Sequence, residues 1–411
     1  MDNLSFVRDR FAEFYEEKAE DIKAPPSIEK REFGFIIFKD NIMVRHRSFT
    51  TAENLRSFMK KTVPSHAYYS TAYYETPEEK MENKGWLGAD LYFDIDADHI
   101  PAKCGKIHDR WTCMKCKFTG RGASPEKCPS CGEKSLDEKM WACEMCLESA
   151  KLETMKLLDI LTEDFGFSPG EVDVSFSGGR GYHVHVESEK IRGLDSVARK
   201  EIVDYITGVG LEPTLHGLGE INQIKPRMLA GPRLGDSSWR GRVAKGTYEF
   251  LSAATGEELE AIGLAKKAVE AIVANRNSIL ESWKTSGPWA RVKGVGLDSW
   301  KTVVLKGVES QSARIDTVVT TDIHRLIRLP NALHGKTGLL KVSFPVGDVE
   351  KFDPLRSAVA FKKGEATVYV EEAPEFRLGE ERFGPYREQK VELPMAAALF
   401  LLCKGAAKVA E

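Results

Sequence analysis

Net charge is almost missing from this sequence: 59 lysines and arginines against 62 aspartates and glutamates leave −3 over 411 residues. A broad positive field is therefore excluded, and any contact with nucleic acid has to be a local basic patch. Long apolar runs are missing too. The longest near the C-terminus, Met395 to Cys403, is too short to span a bilayer. The opening Met1-Asp2-Asn3-Leu4 has neither the basic stretch nor the apolar core of an export signal. A soluble, cytoplasmic protein with no membrane partner is expected. Internal repeats and low-complexity segments are absent. Cysteine is scarce outside one region: seven of eight fall between Cys104 and Cys146, and Cys403 sits alone in an apolar stretch that predicts a buried core role.

The cysteine-rich region is where the chain departs from average. A long chain without an export signal argues against disulfides and for metal. Cys113-x-x-Cys116 and Cys128-Pro-Ser-Cys131-Gly132, with eleven residues between the pairs, form a zinc-ribbon pattern. Gly132 supplies the small residue that the turn after Cys131 needs. Cys104, Cys143 and Cys146 remain, and His108 is the natural fourth ligand of a tetrahedral site. Two nested zinc sites follow, both structural because protein fills every position. The competing reading is one site with spare thiols.

The length suggests about two or three units. Phe6, Phe11, Phe14 and Tyr15 predict a helix over 1–20. Alternation predicts strands over 31–50, with Lys39-Asp40-Asn41 as the turn, and again at 68–74 and 86–96. A helix is expected from about Ala142 to Phe165. Two strands follow, 172–176 and 182–186. Residues 195–285 look like an inserted helical unit. Beyond it, strands are expected at 301–305 and 314–319, a helix at 322–329 stopped by Pro330, strands at 339–344 and 366–370, and a helical tail.

Three stretches carry chemistry. Leu91-Tyr92-Phe93-Asp94-Ile95-Asp96 reads as a strand, which puts Asp94 and Asp96 on one face roughly 6–7 Å apart. Two such carboxylates repel, and a divalent cation relieves the repulsion; the plain alternative is a solvated strand end. Ser177-Gly178-Gly179-Arg180-Gly181-Tyr182-His183 offers backbone amides, a hydroxyl, a guanidinium and an imidazole to a phosphate, or else is only a hairpin turn. The third stretch runs from Asp316 through Arg325 and Arg328, expected on one helix face, to His334 and Lys336. A carboxylate followed by cations suits a metal-bound triphosphate; a solvated basic helix is the alternative.

In this order the motifs resemble the small catalytic subunit of archaeal and eukaryotic DNA primases. Arg31-Glu32-Phe33-Gly34-Phe35, Arg45-His46-x-Ser48-Phe49 and Tyr69-Ser70-x-Ala72-Tyr73-Tyr74 add to the likeness. Trp86-x-Gly88-Ala89-Asp90-Leu91 and Asp94-Ile95-Asp96-Ala97-Asp98-His99 are closer to the archaeal form. The resemblance implies a mixed α/β (α+β) primase catalytic fold with its active site between two sheet-bearing halves. It implies a discontinuous catalytic domain over 1–194 and 286–393, a zinc element over 104–146 with a nested ribbon at 113–131, a helical subdomain over 195–285 and a C-terminal helix over 394–411. Asp94, Asp96 and Asp316 would hold two Mg²⁺ or Mn²⁺ ions. Ser177, Gly178, Arg180, Gly181, His183, Arg328 and His334 would bind the nucleotide, with Arg325, Lys336, Glu32 and Arg45 as further candidates. The family usually has one zinc site here, for which Cys104, His108, Cys143 and Cys146 fit, so the Cys113–Cys131 ribbon is an insertion. The implied activity is primer synthesis on single-stranded DNA from nucleoside triphosphates, as a heterodimer with a primase large subunit, in the nucleoid of an archaeal cell. A repair or translesion primase-polymerase and a non-catalytic zinc-ribbon protein are the rival classes.

Overall fold

The computed structural model describes residues 2–38, 42–98, 100–105, 107–141, 143–221, 228–289 and 292–410. The expected Lys39-Asp40-Asn41 turn, His99 and the expected helix start at Ala142 lie outside the described residues. The chain is mixed α/β and divides into two compact units. One comprises Met1–Met155, Ser168–Lys200 and Arg314–Glu411; the other comprises Lys156–Phe167 and Glu201–Ala313.

The first unit is built on two four-stranded antiparallel sheets. In one, the order is Leu326–Arg328, Pro64–Ser70, Phe33–Ile37, Met43–Arg47; in the other it is Val342–Phe344, Val172–Phe176, Gly181–Val186, Leu91–Asp96. Phe33, Phe35, Leu91, Phe93 and Ile95 are buried, as alternation predicts. The N-terminal helix Asn3–Lys18 is capped by Asp2, whose side chain accepts from the Ser5 N–H, and it buries Val7, Phe11, Phe14 and Tyr15. The tail is helical only over Met395–Cys403. Gly405, at φ +63°, then reverses the chain, and Ala407–Val409 pairs with Glu365–Ala373 instead of extending the expected helix.

Three local expectations in the third motif region are corrected. The Thr/Val-rich run expected to make a strand over 314–319 instead starts a short helix, Thr317–Thr321. Asp316 is its N-cap, and its side chain accepts from the N–H groups of Val318 and Val319. The expected helix 322–329 is instead the edge strand Leu326–Arg328, registered on Pro64–Ser70. Arg325 and Arg328 therefore do not share a helix face.

In the second unit, residues 301–305 lie inside the helix Leu297–Gln311 instead of forming a strand. β-Branched Val303 and Val304 suggested the strand, but burial of Trp300, Val303, Val304, Gly307, Val308 and Gln311 follows helical spacing. That helix meets Ser238–Ala253 through glycines: a Cβ on Gly246 would stand 2.3 Å from the Gly307 carbonyl oxygen. Trp239, Trp283, Trp289 and Trp300 dominate the core beneath. A short strand pair, Gly219–Ile221 with Met228–Ala230, interrupts the expected run of helices.

One buried ion pair fixes where the second sheet begins. Arg31, with no exposed surface, donates to Asp90 at 2.6 Å and to the carbonyls of Ser70 and Thr71, and lies 3.6 Å over the Tyr73 ring. Asp90 also accepts from the Tyr73 hydroxyl, faces His185 at 3.1 Å, and has its backbone carbonyl bound by Arg199. Burial opposes ionisation of Asp90, but His185 and Arg31 outweigh it and hold the carboxyl below 3.8. Asp90→Ala, which strands the Arg31 charge, should cost about 3–5 kcal/mol in urea unfolding. Because the folded-state value is depressed, the contribution is complete above pH 3.8 and is lost as pH falls through the folded-state value. The gap between wild type and Asp90→Asn should therefore shrink on acidification.

Candidate active site and metal centres

Asp90, Tyr92, Asp94 and Asp96 alternate onto one face of the carboxylate strand. The neighbouring strand sets His183 opposite Asp94 and Gly181 opposite Asp96. His183 Nε2 lies 3.3 Å from Asp94 Oδ1. Burial pushes the His183 imidazole down despite the pull of Asp94, so it is neutral. For Asp94, burial raises the carboxyl, but His183, Arg325 and Arg180 bring it below its ordinary value. Asp96 is pushed up to about 6 by burial and by the charge of Asp94, against Arg180. Asp316 arrives from far along the chain, and its backbone N–H donates to the Asp94 carbonyl at 2.8 Å. The backbone of Asp316 is thus tied to the carboxylate strand at Asp94, while its side chain caps the helix that follows. The oxygens of the three carboxylates are not all within 4.8 Å of one another, unlike the cysteine clusters below.

The glycine turn serves packing as well as exposure. Ser177 Oγ accepts from the N–H groups of Gly179 and Gly181, so the hydroxyl organises the turn. A Cβ on Gly181 would stand 2.1 Å from the Ile95 carbonyl, and one on Gly178, at φ +77°, 2.9 Å from His334 Cβ. Arg180 bridges Asp96 Oδ2 at 3.3 Å and Asp98 Oδ2 at 2.6 Å. His334 Nδ1 is 3.0 Å from Thr337 Oγ1, and that hydroxyl donates to the Gly178 carbonyl at 2.5 Å. The Thr337 proton being committed, His334 carries its own proton on Nδ1, and Nε2 is left unprotonated. Burial and nearby cations hold His334 far below 6.5, hence neutral.

The other sheet contributes Arg328. Its guanidinium donates to His66 Nδ1 at 2.6 Å and lies 5.2 Å over Tyr68. Glu32, fully buried, accepts from Arg45 Nε at 3.0 Å and from the His46 N–H, and stands 3.5 Å from Lys84 Nζ. Arg325 gives its carbonyl to the Thr71 N–H, and Lys336 is exposed in the turn after His334.

Sequence reasoning missed several groups. His66 is held neutral, pushed down to about 3 by burial and by the charges of Arg328 and Lys336, and so accepts from Arg328. Lys341 is buried, donates to the Arg328 carbonyl at 2.8 Å, and is drawn down to about 8 by burial. A lysine inside the apolar run 339–344 was the available signal. Asp90, His185 and Glu187 also cluster at metal-binding distance, but Arg31 already neutralises Asp90.

Both predicted cysteine sets assemble. Cys104, His108, Cys143 and Cys146 converge, as do Cys113, Cys116, Cys128 and Cys131, each with all ligand atoms within 4.8 Å. Cys104 Sγ and Cys146 Sγ each lie 3.3 Å from His108 Nε2, and the sulfur contacts Cys113–Cys131 and Cys116–Cys128 are 3.6 Å. All eight cysteines are free of disulfides. These are edge lengths of a sulfur tetrahedron around one ion. His108 Nδ1 sits 2.8 Å from Asp109, which also takes the Trp141 N–H, an outer contact that fixes a ligating ring. Gly132 turns at φ +70° and donates to the Cys128 carbonyl.

A family described as DNA primase small subunit matches residues 132–346, a span holding the glycine turn, Asp316 and the basic residues up to Lys336. DNA primase small subunit PriS of Methanothrix thermoacetophila is 35% identical over 423 residues, 98% of each chain. The protein of that name from Cenarchaeum symbiosum is 35% identical over 408 residues, 99% of each chain, and that from Archaeoglobus fulgidus 34% over 412 residues, 97% of each. Among the described residues no helix is long and apolar enough to cross a membrane.

Elemental analysis should find two thiol-bound metal ions per chain. Cys143→Ser should remove one of them and sharply lower soluble yield, since metal binding at such sites is part of folding. Cys131→Ser should remove the other.

Proposed function

The chain belongs to the DNA primase small-subunit family, and from that premise we propose that it is the catalytic subunit of an archaeal primase: a nucleotidyltransferase making short primers on single-stranded DNA. The reading is supported above all by the bond between the Asp316 N–H and the Asp94 carbonyl, which ties sequence-distant Asp316 to the strand that carries Asp94 and Asp96. The donor set fits a divalent cation: it is all oxygen, Asp96 is strained by the charge of Asp94, and buried Asp94 Oδ1 has no well-aligned hydrogen-bond donor. Two Mg²⁺ or Mn²⁺ ions held by Asp94, Asp96 and Asp316 would lower the pKa of an attacking 3′-hydroxyl and neutralise the triphosphate and departing pyrophosphate. Zinc is the ion proposed for both cysteine clusters, on the sulfur-rich tetrahedral donor set.

The remaining work falls to the chain's own side chains. Neutral His183, its Nε2 3.3 Å from Asp94 Oδ1, flanks that carboxylate and limits how it can turn. Arg180, held by Asp96 and Asp98, presents its fork to the phosphates. Arg328, aimed by His66 and by the Lys341 bond to its carbonyl, does the same from the opposite sheet, with Arg325 and Lys336 adding charge. His334, with an unprotonated Nε2, suits a sugar hydroxyl better than a phosphate oxygen. Ser177, Gly178 and Gly181 shape the turn that sets His334 and Arg180. Glu32 and Arg45 form a charged pair on the first sheet, assigned to the nucleotide pocket. The large subunit is the proposed partner, and the nucleoid the proposed place of work.

Asp94→Asn and Asp316→Asn should each lower nucleotide addition at least about 100-fold while leaving the unfolding curve intact. Primer synthesis on an unprimed single strand separates this reading from an end-joining polymerase, which would extend a primer but not start one. Wild-type rates in the Asp94→Asn protein would refute the metal assignment.

A further inference from the structure

The ribbon sheet carries a row of like charges. Arg110 on Arg110–Cys113 stands opposite Arg121 of Thr119–Arg121 on one side and opposite Lys139 of Leu136–Lys139 on the other. Cross-strand partners project from one face, and like charges placed so destabilise a sheet. The local compensation is Glu372 on Glu365–Ala373. Its carboxylate takes both terminal nitrogens of Arg110 and, at 3.1 Å, one of Arg121. Glu372 is itself registered opposite Arg387 across the adjoining strand pair.

Arg110, Arg121, Glu372 and Arg387 line a cavity of about 300 Å³, walled by Tyr386, two prolines and His108 of the outer cysteine set. Three guanidinium groups against the single lining carboxylate leave two positive charges there. Each guanidinium carries five donors in a planar fork, so Glu372 leaves most of them unspent. Arg121 is 71% exposed, open to a ligand from solvent. None of these residues belongs to the carboxylate centre, and nucleotidyl transfer gives no reason for them. Exposed Lys115 and Lys117 lie on the same ribbon, while Phe118 packs against Trp111 on the face away from Arg110 and Arg121. A concave guanidinium site on a basic ribbon suits a backbone phosphate of a nucleic acid.

We propose that this cavity binds a backbone phosphate of single-stranded DNA. The choice of DNA as occupant rests on the primase reading; the cationic cavity does not. It would hold the template on the inserted ribbon, away from the reacting atoms.

The test is anisotropy of a fluorescein-labelled oligothymidylate with the full-length, metal-loaded chain across a range of salt concentrations. Arg121→Ala/Arg387→Ala should weaken binding about tenfold and flatten the salt dependence by about 0.7 for each phosphate no longer neutralised. Arg387→Ala alone, which touches neither cysteine cluster, should show part of both effects, and Arg387→Lys should restore the salt slope. Unaltered affinity and slope in both arginine variants would overturn the proposal. So would weakened binding of inorganic triphosphate with DNA binding intact, which would make the cavity a site for free phosphate. If the unsubstituted chain extends primers while the variants bind DNA normally, this site alone falls; if it neither binds nor extends, the primase reading falls with it.

Discussion

A guanidinium and a carboxylate with no exposed surface cannot separate without leaving a charge in the protein interior, and the pairing of Arg31 with Asp90 imposes that condition on everything around it. Arg31 lies two residues before the strand Phe33–Ile37 of the first sheet; Asp90 immediately precedes the carboxylate strand. The pair therefore sets the register at which the second sheet begins. Alternation along that strand then carries Asp94 and Asp96 to the same face as Asp90. His185 and His183 follow the same rule on the neighbouring strand, one meeting Asp90 and the other Asp94. A structural ion pair and a candidate catalytic centre are thus two levels of one ladder.

The candidate centre divides its charges between the sheets. Asp94 and Asp96 stand on the second sheet with Arg180 beside them, and further cations gather around Arg328 on the first, with His66 and His334 kept neutral among them by burial. Neutral imidazoles can accept hydrogen bonds, which is how His66 directs a cation without adding to its repulsion. The separation matches a metal-bound polyphosphate, whose cations and anions need opposite neighbours.

Much of this was legible in the sequence because it depends on short-range spacing. Side-chain alternation sufficed to put Asp94 and Asp96 on one face, the paired C-x-x-C repeats sufficed for the inner cysteine cluster, and the remaining thiols with His108 four residues after Cys104 supplied the outer one. Asp316 was found, but in the wrong element: a run of Thr and Val favours a strand locally, while the Asp side chain, as an N-cap, favours a helix start. Residues 301–305 failed for the same reason, since two valines within a strand-like window conceal a helical burial pattern that only a longer window reveals. His66 and Lys341 were not legible at all. Their importance comes from the pairing of Pro64–Ser70 with Leu326–Arg328, more than 250 residues apart in the chain, and no local pattern encodes a partner so distant.

The nesting of the cysteine clusters has a consequence for biogenesis. The outer set can close only by joining Cys104 and His108 to Cys143 and Cys146 across the entire ribbon. Closing a loop becomes entropically easier as its free length shrinks, by about 0.6 kcal/mol for each halving. An inner cluster gathered first turns most of that loop into a rigid clasp. Maturation is thereby biased toward an order, inner thiols before outer. The helix Glu144–Glu163 has Cys146 in its first turn, so its N-terminal end would be the last piece secured on the newly made chain.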